Sequence, residues 1–148
     1  MDLSSVSQIL PTHTWSAFSL CGINNDTLVM FGGDFGSAPV IPTRLVYIFE
    51  IKSQIWSNPL TINQPENKHS RSVCDMKTGK MYMFSGYSEP TLNNMDILNT
   101  WTLEWTVGNS VNAPDGRFDY TATLLPSGTI VYIGGVGSVD MSKVNWYR

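Results

Sequence analysis

Leu28-Val29-Met30-Phe31-Gly32-Gly33 decides the fold, because the stretch returns twice. It reappears as Met81-Tyr82-Met83-Phe84-Ser85-Gly86 and again as Ile130-Val131-Tyr132-Ile133-Gly134-Gly135. The closing glycines Gly33, Gly86 and Gly135 stand 53 and 49 residues apart. Trp56 and Trp105 follow the first two copies at a spacing of 49, and Arg71 and Arg117 precede the second and third at 46. Three independent markers therefore share a period near fifty, the mark of a chain built from repeated supersecondary units.

The runs around these markers alternate as strands do. Ser16 to Cys21, Thr27 to Phe31, Leu45 to Ile51, Lys80 to Phe84, Tyr120 to Leu125 and Thr129 to Ile133 are short and rich in Val, Ile, Thr, Tyr and Phe. Turn residues separate them: Asn24-Asn25-Asp26, Lys77-Thr78-Gly79 and Pro126-Ser127-Gly128. The spacing predicts a hairpin of Ser72 to Met76 with Lys80 to Phe84, and another of Phe118 to Leu125 with Thr129 to Ile133. A third strand is expected over Arg44 to Ile51 and Met95 to Leu103. A short fourth is expected over Gln54 to Ser57 and Glu104 to Val107. No segment keeps an apolar helical face over three turns.

Composition limits the function classes. Hydrophobic residues make up 42% and charged residues 14%. A disordered chain would show the reverse balance. The net charge of −3 and the lack of a basic stripe exclude nucleic acid as the expected partner. No run reaches the roughly 20 apolar residues of a membrane span. The opening Met1-Asp2-Leu3-Ser4-Ser5 is not a secretory signal, so the cytoplasm is the favoured compartment. Cys21 and Cys74 are expected as two buried free thiols, with a disulfide as the alternative that no sequence feature supports, and His13 and His69 as exposed loop residues.

With these residues in place, the chain resembles the kelch repeat. In that pattern an arginine opens the first strand, a glycine pair closes the second, an aromatic stands in the third and a tryptophan in the fourth. Arg71, Ser85-Gly86 and Trp105 fill those places in one unit. Gly32-Gly33, Tyr47 or Phe49, and Trp56 fill them in another, and Arg117 with Gly134-Gly135 in the last. Trp15-Ser16-Ala17-Phe18 stands where the first arginine belongs, and Ser85 where a glycine does. The resemblance implies an all-β fold, a fragment of a β-propeller with about two and a half four-stranded antiparallel blades. The expected division is a lead-in over 1–13, blades over 14–66 and 67–113, and a partial blade over 114–148. So few blades do not close a ring. Three accounts stay open: a piece of a longer protein, a truncated chain, or a chain that self-associates through its unclosed edges. The glycine pairs are expected to let the next blade approach, and the tryptophans to fill the space between blades.

The implied function is a protein-protein interaction scaffold without catalysis. The alternative is part of a galactose oxidase-like propeller enzyme domain, since that family shares the repeat. Its copper centre needs two tyrosines, two histidines and a cysteine joined to one tyrosine, and no stretch here matches its ligand-bearing segments. Catalytic motifs, metal ligands and cofactor loops are absent from the sequence. Loops after the second strand and before the first share one edge of each blade. The candidate partner-binding residues there are Asp34, Phe35, Arg71, Tyr87, Glu89 and Arg117. Their mix of aromatic and arginine side chains suits a protein or peptide partner. For Arg71 and Arg117, structural hydrogen bonding between blades is an equal expectation.

Overall fold

Alternating side chains and short turns build the same meander twice and begin it a third time. The computed structural model describes residues 9–36, 40, 42–66, 70–87 and 93–137. The first sheet holds β1 (Ala17–Cys21), β2 (Thr27–Phe31), β3 (Val46–Glu50) and β4 (Ile55–Ser57) in that order. The second holds β5 (Ser72–Asp75), β6 (Lys80–Phe84), β7 (Met95–Asn99) and β8 (Glu104–Val107), also in chain order. The third holds β9 (Arg117–Leu124) paired with β10 (Ile130–Gly137). Every pair of neighbouring strands is antiparallel, and no helix occurs among the described residues. Both expected hairpins and all four third- and fourth-strand segments form: Lys80–Phe84 and Glu104–Val107 keep the expected bounds, β3, β4, β5 and β7 are shorter at one or both ends, and β10 runs on to Gly137.

Turn residues set the hairpins. Gly79 and Gly128 take φ of 67° and 86°, the left-handed region that tight turns require. Asp75 clamps the β5–β6 turn, accepting from the Thr78 hydroxyl at 2.8 Å and the Lys77 amide at 3.0 Å. These bonds, the Thr78 one foremost, hold its carboxyl below the usual aspartate range.

The sheets stack face to face, and matching residues do the stacking. Phe31 ends β2 and packs its ring 4.6 Å from that of Trp105 in the second sheet. Phe84 ends β6 and packs 5.1 Å from Tyr132 in the third. Ile133 holds the same place relative to its glycine pair. It lies on the face turned away from Tyr132 and the second sheet, and is 62% exposed. Between the first two sheets lie Ala17, Val29, Phe31, Val46 and Ile48 on one side and Met81, Met83, Leu98 and Trp105 on the other. Trp105 is 3% exposed, and its indole donates to the Thr61 hydroxyl at 3.1 Å. Thr61 belongs to the connector between the sheets. Beside it, Ile62 bridges in parallel to Glu104 of β8, and Gln64 accepts from the Leu45 amide at 2.9 Å. The link is thus stitched to both sheets. Trp56 lies 4.9 Å from Phe49 within its own sheet and is half-buried.

Tyr120 joins the second and third sheets from beneath. Its hydroxyl donates to the Phe84 carbonyl, and Ser70 Oγ lies 3.3 Å away while donating to the same carbonyl at 3.2 Å. Burial pushes the Tyr120 hydroxyl above the usual tyrosine range, and that of Tyr132 up to about 12.

Several sequence expectations need correction. Cys21 and Cys74 are not free thiols: they form a disulfide between β1 and β5, with Cα atoms 5.6 Å apart. Two residues before each, Ser19 and Ser72 bond hydroxyl to hydroxyl at 2.8 Å. Innermost strands of neighbouring sheets therefore touch at equivalent positions, which sets the two thiols side by side. His13 is half-buried rather than exposed, with its ring nitrogen on the Pro11 carbonyl at 2.6 Å. His69 lies outside the described residues. At Gly33 the close approach comes from the sheet's own lead-in, where a Cβ would stand 2.5 Å from the Thr14 carbonyl oxygen. At Ser85-Gly86 it does come from the next sheet. The Gly86 amide donates to the Arg117 carbonyl at 3.1 Å, and the Arg117 amide donates to Ser85 Oγ at 2.8 Å. Ser85 keeps the left-handed φ of a glycine (54°), and its hydroxyl adds a bond that glycine lacks.

Candidate functional site

Antiparallel meanders bring the start of each inner strand and the end of each second strand to one end of the stack. There a cleft of about 370 Å³ opens, lined by Trp15, Asp34, Ser70, Arg71, Tyr87, Phe118 and Asp119. All three sheets contribute. Trp15 and Asp34 come from the first, Ser70, Arg71 and Tyr87 from the second, Phe118 and Asp119 from the third. The positions are repeat-equivalent: Asp34 and Tyr87 each follow the second residue of a glycine pair or its Ser85-Gly86 counterpart. Trp15 and Arg71 stand just before the start of an inner strand, and Phe118 is the second residue of β9.

The lining is held in place from several directions. Thr14 and Asp34 exchange backbone hydrogen bonds of 2.8 and 2.7 Å, which fixes the lead-in beside the loop after β2. One Asp34 carboxylate oxygen accepts from the Gly36 amide at 2.7 Å. Tyr87 and Phe118 meet edge to face, with ring centres 5.3 Å apart and planes 84° apart. Trp15 and Asp119 both hold left-handed backbone, with φ of 56° and 54°. Neither is glycine, so each conformation costs energy that the surrounding bonds must offset. Strain of this kind collects at binding sites.

Of the residues predicted from sequence, Asp34, Arg71 and Tyr87 come together in the cleft. Phe35 is 6% exposed and packs against the His13 ring at 6.0 Å, so it supports the loop from behind. Arg117 turns its guanidinium to the carbonyls of Asp115 and Gly134, both at 3.3 Å, the second of them across its own hairpin. Glu89 lies outside the described residues. Sequence reasoning missed Trp15, Ser70, Phe118 and Asp119 as cleft residues. The readable signal was position: Trp15 opens the stretch that stands where the first arginine belongs, and Phe118 follows Arg117 directly. Among the described residues no three His, Cys, Asp or Glu side chains gather as a metal site would require.

Stacked antiparallel sheets, two of them four-stranded, with a Gly-Gly or Ser-Gly pair at the end of the second strand and loops gathered at one end, define a kelch-type β-propeller fold. The family model of the KLHDC2/KLHL20/DRC7 Kelch-repeats domain matches residues 5–148, and the chain belongs to that family. Kelch domain-containing protein 2 of Bos taurus is 28% identical over 93 residues, which cover 61% of this chain and 23% of that protein. The match thus spans under a quarter of the length of that curated relative.

Proposed function

We propose that the chain is a non-catalytic interaction module that receives a protein or peptide partner at the cleft of Trp15, Asp34, Arg71, Tyr87, Phe118 and Asp119. One observation carries the reading: separate sheets deliver aromatic and charged side chains to one concave place at a loop-bearing end. Rigid scaffolds commonly present binding residues on such loops, and tyrosine, tryptophan and arginine dominate binding energy at interfaces. Arg71→Ala and Tyr87→Ala are expected to weaken capture of the partner at least about thirtyfold, the effect of losing a hot-spot side chain. Pull-downs from source extract with thermal unfolding as a control measure this. Unchanged capture by folded variants rejects the cleft. Stoichiometric copper in the purified protein would instead favour the oxidase-like alternative.

The outer sheet faces support self-association as a second reading. Ala17, Ser19 and Cys21 point into the stack, so the alternating Phe18 and Leu20 point out of it, 50% and 40% exposed. At the other end Val131 and Ile133 do the same. The two faces sit where a further sheet would pack, so one chain's last sheet can cover another's first. Sedimentation of the chain should show mass rising with concentration, and Ile133→Lys should suppress the rise. A single monomeric species at all concentrations overturns this reading.

A further inference from the structure

We infer that the cleft selects a positively charged side chain, lysine or arginine, on the partner segment. The inference rests on the cleft being the binding site and names what enters it. Among the described residues, two carboxylates, Asp34 and Asp119, line the cleft against one guanidinium, Arg71. The formal balance of these groups is one negative charge, which a single cationic side chain neutralises. An anionic ligand drawn by Arg71 must also meet both carboxylates, so the same lining repels it.

The aromatic side chains point the same way. Tyr87 and Phe118 stand nearly perpendicular, so their faces look along two different directions at one corner of the cleft. Trp15 adds a third ring, and it is 61% exposed. Ring faces carry partial negative charge and attract cations that come within about 6 Å. The carboxylates share the cleft lining with the rings. Asp119 directly follows Phe118, and Asp34 bridges to Thr14, the residue before Trp15. A long aliphatic stem lies against the rings while its charged end meets a carboxylate. The cleft is at the small end of ligand pockets, a size for one or two side chains.

The test uses the whole chain and three capped Gly-X-Gly tripeptides, with X as lysine, norleucine or glutamate. Chemical shifts of the Trp15 indole report binding. The lysine peptide should bind at least about fivefold tighter than norleucine, and the glutamate peptide weakest. Asp34→Asn and Asp119→Asn should each erode the lysine preference by roughly threefold or more, with the preference also falling as salt rises. Thermal unfolding shows that these variants still fold. Preference for glutamate, equal binding of all three, or no shift with any of them overturns the inference. Partner loss in Tyr87→Ala together with glutamate preference would leave the site standing and remove only the cation. Lysine preference with unchanged pull-down partners would support the cation and remove the partner reading.

Discussion

Trp105→Ala is expected to remove about 3–5 kcal/mol of folding stability, the usual range for deleting a buried tryptophan ring. The indole is 3% exposed and fills the seam between the first two sheets against Phe31. Its removal opens a cavity that Leu98, Phe31 and Val29 border only as parts of rigid strands, so collapse is limited. It also leaves the buried Thr61 hydroxyl without its indole partner. A domain this size holds only about 5–15 kcal/mol in total. Urea unfolding measures the loss. Trp56→Ala is the internal comparison, expected to cost roughly half as much or less. Trp56 occupies the matching place in the repeat but rests on Phe49 of its own sheet and is half-buried. Equal losses at the two positions would mean that the seam is not what buries Trp105.

Loss of the Cys21–Cys74 disulfide should destabilise the fold by about 4 kcal/mol, the chain-entropy value for a closed loop of this length. The bridge spans 53 residues and joins the inner strands of neighbouring sheets. It therefore restrains a whole repeat in the unfolded chain. The Ser19–Ser72 bond beside it is a local contact and cannot supply that restraint. Cys21→Ser/Cys74→Ser and reduction of the native chain should lower the unfolding free energy by the same amount. Stability that is indifferent to reductant would contradict the bridge.

The fold was legible in the sequence because its markers are local. Glycine pairs, turn glycines and alternation mark Thr27–Phe31, Lys80–Phe84 and Ile130–Gly135 without reference to distant residues. The disulfide is non-local, and reading the cysteines one at a time concealed it. Cys21 and Cys74 each stand twelve residues before the second glycine of their unit, Gly33 and Gly86. Equivalent inner-strand positions are neighbours once sheets stack, so the shared period carried the answer. Asp34, Arg71 and Tyr87 could be placed because blade edges follow from strand order. Asp119 could not, since it sits where the backbone turns left-handed at a non-glycine residue, which no residue type announces. Phe35 misled because it stands beside Asp34 in the chain while its ring is buried against His13. Asp96 is buried in the interior strand β7 at 4% exposure, where it takes a hydrogen bond from Asn94 at 2.9 Å, a placement that its residue type does not suggest.

The stacking of equivalent sheets underlies every claim above, and through-space NMR contacts examine it most directly. Cross-peaks should link the Trp105 indole to the Phe31 ring, and the Phe84 ring to Tyr132, at the spacings of 4.6 and 5.1 Å. The Ile133 methyls of the monomer should show no aromatic cross-peak to the second sheet. A Trp105 indole that sees only its own sheet, or Ile133 methyls in contact with Phe84, would contradict the stacked order.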